Sequence, residues 1–276
     1  MPELRSYFWE ERIKSRPRMF WDRRIRKRPW NDFRYGNAGN VFVWEVVSRG
    51  YPEASPVNQI TAPRLLCIGS IAHKMAAGDV LSGVGARSQE LPVIDPNQIH
   101  VHALRGPITF DIFKRHGYDV SQVRFLADPG LLIGKMYPKV AARHGRVAFI
   151  PHYRERKEVR ASIPPGITYI DIDAPLHRLA RQIQEAECVY GSSLHGIIFA
   201  QALGRPTVFV RPATEEPLQK FEDYYLSVGQ TPPVPIDSIA NADLRTAPTS
   251  PPELAIDIDD IVLPEASFLQ ARGILC

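Results

Sequence analysis

The chain has 276 residues and is 44% hydrophobic, enough for a substantial core in one large or two small domains. No stretch approaches the ~20 apolar residues of a transmembrane helix, and the N-terminus lacks the apolar run of a secretory signal. The net charge of +4 is concentrated in residues 1–35, which hold eleven Lys and Arg against five Asp and Glu. We therefore expect a cytoplasmic protein with a locally basic N-terminus.

Residues 1–35 form a basic segment in which aromatic residues are interleaved with the arginines. These aromatic residues are Tyr7, Phe8, Trp9, Phe20, Trp21 and Trp30. Two interpretations remain open: an amphipathic element on an anionic membrane surface or anionic substrate, or a solvated helix whose aromatic side chains pack on the domain. No nucleic-acid recognition motif accompanies the basic residues, so nucleic acid is not an expected partner.

Residues 36–140 are predicted to form a first α/β domain. "NAGNVFVWEVVSRGY" favours a loop followed by a helix or a strand, and Arg64–Ser70, "GDVLSGVGA" and Ile99–Gly106 read as strands. A helix follows from Pro107 and ends at Gly117, since proline suits the first turn and glycine the position after the last. "VRFLADPGLL" predicts a strand running into a turn.

Residues 141–276 are predicted to form a second α/β domain after a polar connector. Strands are expected in "RVAFIP", "ITYIDID", "CVYGSS" and "PTVFVRP", and helices in "PLHRLARQIQEAE", "SLHGIIFAQALG", "EEPLQKFEDYYLSVG" and "PEASFLQARGIL". Because strands alternate with helices, the sheets should be parallel with right-handed crossovers. The predicted fold class is α/β, with two domains and a cleft between them.

The turn Gly191–His195 joins a predicted strand to an apolar helix and is the first candidate site. The free N–H groups and dipole of a helix N-terminus attract phosphate or carboxylate. The hydroxyls of Ser192 and Ser193 would add donors, and the ring of His195 would lie nearby. Equally, one serine could simply cap the helix and His195 could be a structural residue. The nucleophile-elbow pattern fails, because the fifth residue from Gly191 is histidine.

Three other predicted strand ends also carry basic or imidazole side chains. Arg105 follows one strand, His152 and Arg154 follow another, and Arg211 follows a fourth. In open α/β sheets, ligands bind at the carboxyl ends of strands, and arginine forms bidentate pairs with carboxylate or phosphate. Arg105 alone could be an ordinary surface residue. The four strand ends together predict a small ligand with several negative charges.

No metal site is predicted. Asp128, Asp171 and Asp173 stand at strand ends without convincing ligand spacing. The three cysteines are far apart, which favours free thiols. No phosphate-binding loop of the Gly-Lys-Ser/Thr type occurs.

Several motifs, in order, resemble the polysaccharide pyruvyl transferase family, especially its bacterial exopolysaccharide ketal-pyruvate branch. They are "GNAGN", "LLCIGSIAHKMAAGDVLSGVGAR", "VHALRGPIT", "FLADPGLL", "IPHY" and "GSSLHGIIFAQALGRP", from about Gly36 to Val210. The resemblance implies two Rossmann-like domains in a GT-B-like arrangement. It also implies phosphoenolpyruvate as the donor substrate, no required cofactor, and a lipid-linked oligosaccharide or polysaccharide as acceptor.

The family's chemistry assigns roles to the predicted site residues. Arg105 and Arg211 are candidate clamps for carboxylate or phosphate, and the helix start at Ser192–Ser193 is the candidate phosphate cradle. His195 is the candidate general acid or phosphate partner, and His152 is second choice. Arg154 is predicted to bind substrate.

The start of the matching region departs from the family at one position. Family members usually carry an aspartate where this chain has Asn40. Asn37 and Asn40 are expected to bind substrate. If the usual carboxylate helps to bind or activate the sugar, its replacement by Asn40 should alter the activity or the choice of acceptor. Asp128 is expected to act either as a base toward a sugar hydroxyl or as a structural residue of its turn. If the acceptor is lipid-linked, the basic segment would help at the inner face of the plasma membrane.

Two other functions remain open. One is a GT-B glycosyltransferase, which would bind a nucleotide sugar and ignore phosphoenolpyruvate. The other is a non-catalytic protein that binds an anionic metabolite or glycan, which would be stabilised by the ligand without turnover.

Overall fold

A computed structural model describes residues 1–8 and 33–276, and it contains two parallel β-sheets. The first sheet has the strand order β2-β1-β3-β4-β5. Its strands are β1 (Glu3–Tyr7), β2 (Ser55–Asn58), β3 (Leu65–Leu66), β4 (Val80–Val84) and β5 (His100–Leu104). The second sheet has the order β7-β6-β8-β9. Its strands are β6 (Val147–Ile150), β7 (Ile167–Tyr169), β8 (Cys188–Gly191) and β9 (Thr207–Phe209).

Seven α-helices connect or flank these strands in the described residues. They are α1 (Ala38–Gly50), α2 (Pro107–Arg115), α3 (Ile133–Met136), α4 (Leu176–Gln184), α5 (Leu194–Ala202), α6 (Gln219–Ser227) and α7 (Ala266–Ala271). Helix α4 is amphipathic and buries Leu179, Ala180 and Ile183, whereas α5 is apolar on nearly every side. A helix that is apolar all round has to be enclosed by other elements, and α5 is buried along almost its whole length.

The two halves of the chain share a core that passes through α1 and α5. Phe42 of α1 and Phe199 of α5 are both buried and meet edge to face, with ring centroids 5.2 Å apart. The same apolar cluster includes Leu4 of the first sheet and Val189 of the second. Gly39 in the first turn of α1 lies against His195 in the first turn of α5, so the starts of the two helices are also brought together.

The structure confirms the α/β class with parallel strands and corrects two local predictions. "VRFLADPGLL" is a single bridge at Leu126 followed by a 3₁₀ turn, Pro129–Leu132. Asp128 caps this turn by accepting the Gly130 N–H at 2.8 Å, and proline cannot donate to a β ladder. Residues 1–35 are also not one segment apart from the first domain, since β1 lies inside the first sheet.

The C-terminal residues return to β1, so residues 141–276 do not all stay with the second sheet. The Arg5 N–H donates to the Ile274 carbonyl at 2.8 Å, and Glu3 and Cys276 exchange backbone hydrogen bonds. The domain boundaries themselves stay a prediction.

The aromatic residues of the basic segment are described only in part. Phe8 is buried and packs against Trp44 of α1, with ring centroids 5.2 Å apart. Trp9, Phe20, Trp21 and Trp30 lie outside the described residues, so the two interpretations of the segment stay open. In the part of the chain that is described, no helix is long and apolar enough to cross a membrane.

Candidate functional site

A cavity of about 420 Å³ lies where the carboxyl ends of strands from both sheets face the start of α1. Its walls come from six places along the chain, which is the arrangement expected of a ligand site in parallel α/β sheets. The lining residues are Asn37, Asn40, Gly69, Ser70, Ile71, His73, Lys74, Arg87, His152, Tyr153, Arg154, Ser193, Leu194, His195, Glu216 and Lys220.

The cavity wall is strongly basic. It contains four cationic side chains, Lys74, Arg87, Arg154 and Lys220, and one carboxylate, Glu216, for a net charge of +3 with the histidines neutral. The whole chain carries only +4. A low-dielectric cleft lined with one sign of charge concentrates oppositely charged ligands. The charge of the cavity wall therefore favours an anionic ligand.

Glu216 organises the cationic side chains. Its carboxylate is 1% exposed and lies 3.1 Å from guanidinium nitrogens of both Arg87 and Arg154, and 2.6 Å from Lys220 Nζ. Burial alone would raise the pKa of this carboxyl, but the surrounding cations, Lys220 foremost, lower it to about 2. Glu216 is thus ionised at neutral pH, and it fixes three cations without neutralising them.

Lys220 is a buried cation at the cavity. The residue is 6% exposed, and burial lowers the pKa of its ammonium to about 8 while Glu216 opposes that shift. The side chain is therefore mostly protonated at pH 7. A protonated amine with so little water around it interacts with an entering anion more strongly than a surface lysine does.

His152 lines the cavity as a neutral ring. Burial, followed by the positive charge of Lys220, lowers its pKa to about 3. Its backbone N–H donates to Ser192 Oγ at 2.9 Å, which ties the loop after β6 to the loop after β8. His152 can accept or donate one hydrogen bond at neutral pH, but it does not add positive charge.

The two serines before α5 have different roles. Ser193 is the N-cap of the helix, since its Oγ accepts the Gly196 N–H at 3.3 Å, and it also lines the cavity. Ser192 is buried beneath the wall, where its Oγ donates to Glu155 Oε1. The capping interpretation is thus correct for Ser193, while Ser192 holds the loops together.

His195, one residue into α5, closes the wall beside the start of α1. Its side chain is 11% exposed, and its Nε2 is buried without a hydrogen-bond partner in the described residues. Gly39 of α1 leaves room for the ring, because a Cβ there would lie 2.2 Å from His195 Nδ1. The pKa of His195 is lowered, chiefly by burial.

Part of the cavity wall lies in a region of the chain that is similar to a known family. The family model described as "Polysaccharide pyruvyl transferase" matches residues 96–213, which include the His152–Arg154 loop and the first turn of α5. Residues 96–213 are therefore similar to the polysaccharide pyruvyl transferase family. This confirms the resemblance predicted from the sequence.

Two curated relatives extend the comparison. An uncharacterized protein, L143, of Acanthamoeba polyphaga mimivirus is 32% identical over 159 residues, which cover 54% of this chain and 53% of L143. Succinoglycan biosynthesis protein ExoV of Rhizobium meliloti is 25% identical over 232 residues, which cover 78% of this chain and 69% of ExoV. The chain thus spans about half the length of L143 and more of ExoV. No solved structure matches the chain.

Six of the site residues predicted from the sequence meet at the cavity: Asn37, Asn40, His152, Arg154, Ser193 and His195. Asn37 is also the N-cap of α1, and its side chain accepts the Gly39 N–H at 3.2 Å. Asn40 also lies on the cavity wall. Both asparagines thus come from the first half of the chain and face residues of the second.

Three predicted residues are not on the cavity wall. Arg105 is fully buried behind it, and its guanidinium donates to Asp223 at 3.0 Å and to Ser70 Oγ at 2.7 Å. Since Ser70 lines the cavity, Arg105 is one residue removed from it. Arg211 is exposed and faces Asp237 at 3.4 Å. Ser192 lies beneath the wall, as described above.

Sequence reasoning missed Glu216, Lys220, Arg87 and Lys74. The Glu216–Lys220 pair has the i,i+4 spacing of a helical ion pair, a signal present in "EEPLQK", but surface pairs of this kind are common. Nothing in the sequence showed that this one is buried. Arg87 and Lys74 lie after strands of the first sheet. Arg87 comes directly after "GDVLSGVGA", so the strand-end rule could have found it, whereas Lys74 lies four residues beyond the predicted strand Arg64–Ser70.

The aspartates at the end of β7 hold the entry to α1. Asp173 accepts backbone N–H groups of Arg34, Tyr35 and Gly36 at 2.7–3.1 Å, and Asp171 and Asp173 both pair with Arg156. These carboxylates therefore fix the loop that delivers Asn37 to the cavity. Within residues 1–8 and 33–276, no group of three or more metal-ligating side chains converges.

We predict that Gly39→Ala reduces turnover about 100-fold while the protein stays folded. The new Cβ would overlap the His195 ring, and a 1 Å displacement of a reacting group costs about this much. Steady-state kinetics and thermal unfolding measure the two effects. Ser48→Ala, on the exposed face of the same helix, is the control. Equal rates for both variants would show that the ring position does not matter.

Proposed function

We propose that this chain transfers the pyruvyl group of phosphoenolpyruvate onto a sugar of an exopolysaccharide repeat, forming a pyruvate ketal and releasing phosphate. The observation that carries the proposal is the net charge of +3 on the cavity wall. A phosphate ester carries about −2 and a carboxylate −1 at neutral pH. The donor and the cavity are therefore complementary in charge.

The donor's anionic groups would bind between the cations held by Glu216 and the start of α5. Arg154 comes from the loop after β6 and Lys220 from the first turn of α6, and Arg87 comes from the loop after β4 of the first sheet. The N-terminus of α5 adds backbone N–H groups and the positive end of its dipole. Charge-assisted hydrogen bonds of this kind are about twice as strong as neutral ones. Bound phosphoenolpyruvate would therefore connect residues from both halves of the chain.

The reaction needs a proton donor beside the methylene carbon of the donor. One sugar hydroxyl adds its oxygen to the central carbon while a proton reaches the methylene carbon, which becomes the methyl group. The proton that this hydroxyl loses replaces the one delivered to the methylene carbon. A second hydroxyl of the same sugar then displaces phosphate, and its proton leaves with the phosphate. His195, which lines the cavity, is the residue we assign to proton transfer, while neutral His152 is placed to hydrogen-bond the substrate.

The acceptor would approach from the side of α1. Asn37 and Asn40 have amide groups, which can donate to and accept from sugar hydroxyls without adding charge, and Tyr153 adds an aromatic residue to the same cavity wall. In this proposal the two sheets are the halves of a GT-B-like cleft. A lipid-linked oligosaccharide at the inner face of the plasma membrane would supply the sugar, and the basic segment of residues 1–35 would lie near the lipid.

The proposal is tested by incubating the purified chain with phosphoenolpyruvate and lipid-linked oligosaccharide acceptors. We expect phosphate release that depends on the acceptor, and a mass gain on the sugar equal to a pyruvate ketal. Lys220→Met should weaken binding of phosphoenolpyruvate, measured by calorimetry. Binding of a nucleotide sugar instead would favour a glycosyltransferase. Stabilisation by phosphoenolpyruvate without turnover on any acceptor would favour a binding protein.

A further inference from the structure

Two buried polar atoms face each other across the junction of the two halves. Asp128 Oδ2 and His195 Nε2 are 3.9 Å apart, and neither has a hydrogen-bond partner among the described residues. The distance is too long for a hydrogen bond but short enough for strong charge interaction. Buried polar atoms without partners are rare in folded proteins and call for an explanation.

The rest of the Asp128 carboxylate is firmly held. Its other oxygen, Oδ1, caps the 3₁₀ turn by accepting the Gly130 N–H at 2.8 Å. The side chain is 0% exposed and is not part of the cavity wall. Asp128 therefore cannot contact a sugar hydroxyl directly, as one sequence-based interpretation supposed. It can reach a ligand only through His195.

The charges around His195 show what Asp128 contributes. Burial lowers the pKa of the ring, and the positive charges of Arg105 at the end of β5 and Lys220 on α6 lower it further. The first turn of α1, whose residues Asn37–Asn40 carry no titratable side chain, presents the positive end of its dipole. Asp128 is the negative charge that favours the protonated ring.

The geometry also distinguishes the two ring nitrogens. Nε2 is buried on the side of Asp128. Nδ1 lies beside Gly39, where a side chain would overlap it, and unlike Nε2 it is not among the buried polar atoms that lack a partner. A carboxylate can only accept a hydrogen bond, so a proton on Nε2 is the arrangement that suits Asp128. Nδ1 is then the nitrogen that exchanges a proton with the ligand.

We propose that Asp128 is a positioning residue that holds the Nε2 proton of His195, so that Nδ1 serves as the proton-exchanging atom of the cavity. The proton given to the ligand leaves Nδ1, and Nε2 keeps its proton throughout. This inference rests on the proposed pyruvyl transfer for its kinetic consequences. Its statement about the ring itself holds for the protein without substrate.

The first test is an NMR titration of the His195 ring, assigned with His195→Gln, and it needs no acceptor. Asp128→Asn keeps an oxygen to cap Gly130 and removes one charge. We expect the pKa of His195 to fall by about one unit or more, the usual effect of losing an opposite charge at this range. Asp111→Asn, which removes a charge from an exposed site on α2, should leave the titration unchanged. Equal titration in Asp128→Asn and wild type would overturn the proposal.

The ring ¹⁵N shifts of the wild-type protein give a second test, which stands even if Asp128→Asn does not fold. We expect the neutral ring to carry its proton on Nε2. A neutral ring protonated on Nδ1 would refute the assignment.

The kinetic test is the pH profile of turnover. In Asp128→Asn, kcat should fall about tenfold at pH 7.5 and recover toward lower pH, with little change in KM for phosphoenolpyruvate. Because Asp128 acts through His195, adding Asp128→Asn to His195→Gln should cost nothing further. A uniform loss of kcat at every pH, or an additional loss in the double variant, would indicate a structural role. If the wild type shows no turnover, the proposed function fails, but the NMR tests still decide the pairing.

Discussion

Arg105→Ala should lower the free energy of unfolding by about 3–5 kcal/mol, because it leaves the buried Asp223 without its counter-ion. Arg105 is fully buried, and both its Nε and Nη2 lie 3.0 Å from Asp223 Oδ2. Gly85 makes room for the guanidinium, since a Cβ there would lie 2.0 Å from Arg105 Cζ. Chemical denaturation with a spectroscopic readout measures the loss.

The Arg105–Asp223 pair links the two halves of the chain, which is why its loss should be large. Asp223 lies on α6, and it also accepts hydrogen bonds from the backbone N–H and hydroxyl of Thr109 in the first turn of α2. It thus supplies the cap that Gly106 cannot provide with a side chain. Removing Arg105 leaves this carboxylate buried and bonded only to neutral donors.

Two controls separate this role from the ligand clamp predicted from the sequence. Arg211→Ala removes an exposed guanidinium, and a surface pair of this kind contributes less than ~1 kcal/mol. Arg105→Ala combined with Asp223→Ala should be less destabilising than the two single changes added together. If Arg105→Ala instead kept full stability and lost turnover, Arg105 would contact the ligand and the structural role would be wrong.

Most of the α/β pattern could be predicted because buried parallel strands and their helices leave clear apolar runs. β8, α5 and β9 fall within "CVYGSS", "SLHGIIFAQALG" and "PTVFVRP" for this reason. β1 was missed because Glu3–Tyr7 is short, lies within a charged segment and has a polar residue, Ser6, at one of its two buried positions. Its place between β2 and β3 depends on long-range pairing, which local patterns do not record.

The site was predictable where a residue follows a strand and points into the cleft, as with His195 and Arg154. The same rule was wrong about the surroundings of Arg105, because a strand-end arginine can face a ligand or a buried carboxylate. The deciding partner, Asp223, is 118 residues away. Glu216 and Lys220 were missed for the converse reason: their spacing was visible, but their burial comes from packing of α6 against the cavity.

The largest effect on turnover is expected for His195→Ala, at about 100-fold or more in kcat with little change in stability. The ring lines the cavity beside Gly39, and we assign proton transfer to its Nδ1. Loss of a general acid typically costs 10²–10⁴-fold. The measurement is phosphate release at saturating phosphoenolpyruvate and acceptor. His195→Gln, which fills most of the same space, should show the same loss, because an amide cannot transfer a proton at neutral pH.

His144→Gln provides the matched control, since this histidine is fully exposed and pairs only loosely with Glu187 at 3.2 Å. Its turnover should equal that of the wild type.

His152 should not replace His195 as a general acid, because its pKa of about 3 keeps it neutral. The rate that remains in His195→Ala should therefore show no new titration between pH 5 and 8. Near-normal turnover in His195→Ala would show that another residue is the proton donor. Lys220, with its pKa of about 8, would be the next residue to replace.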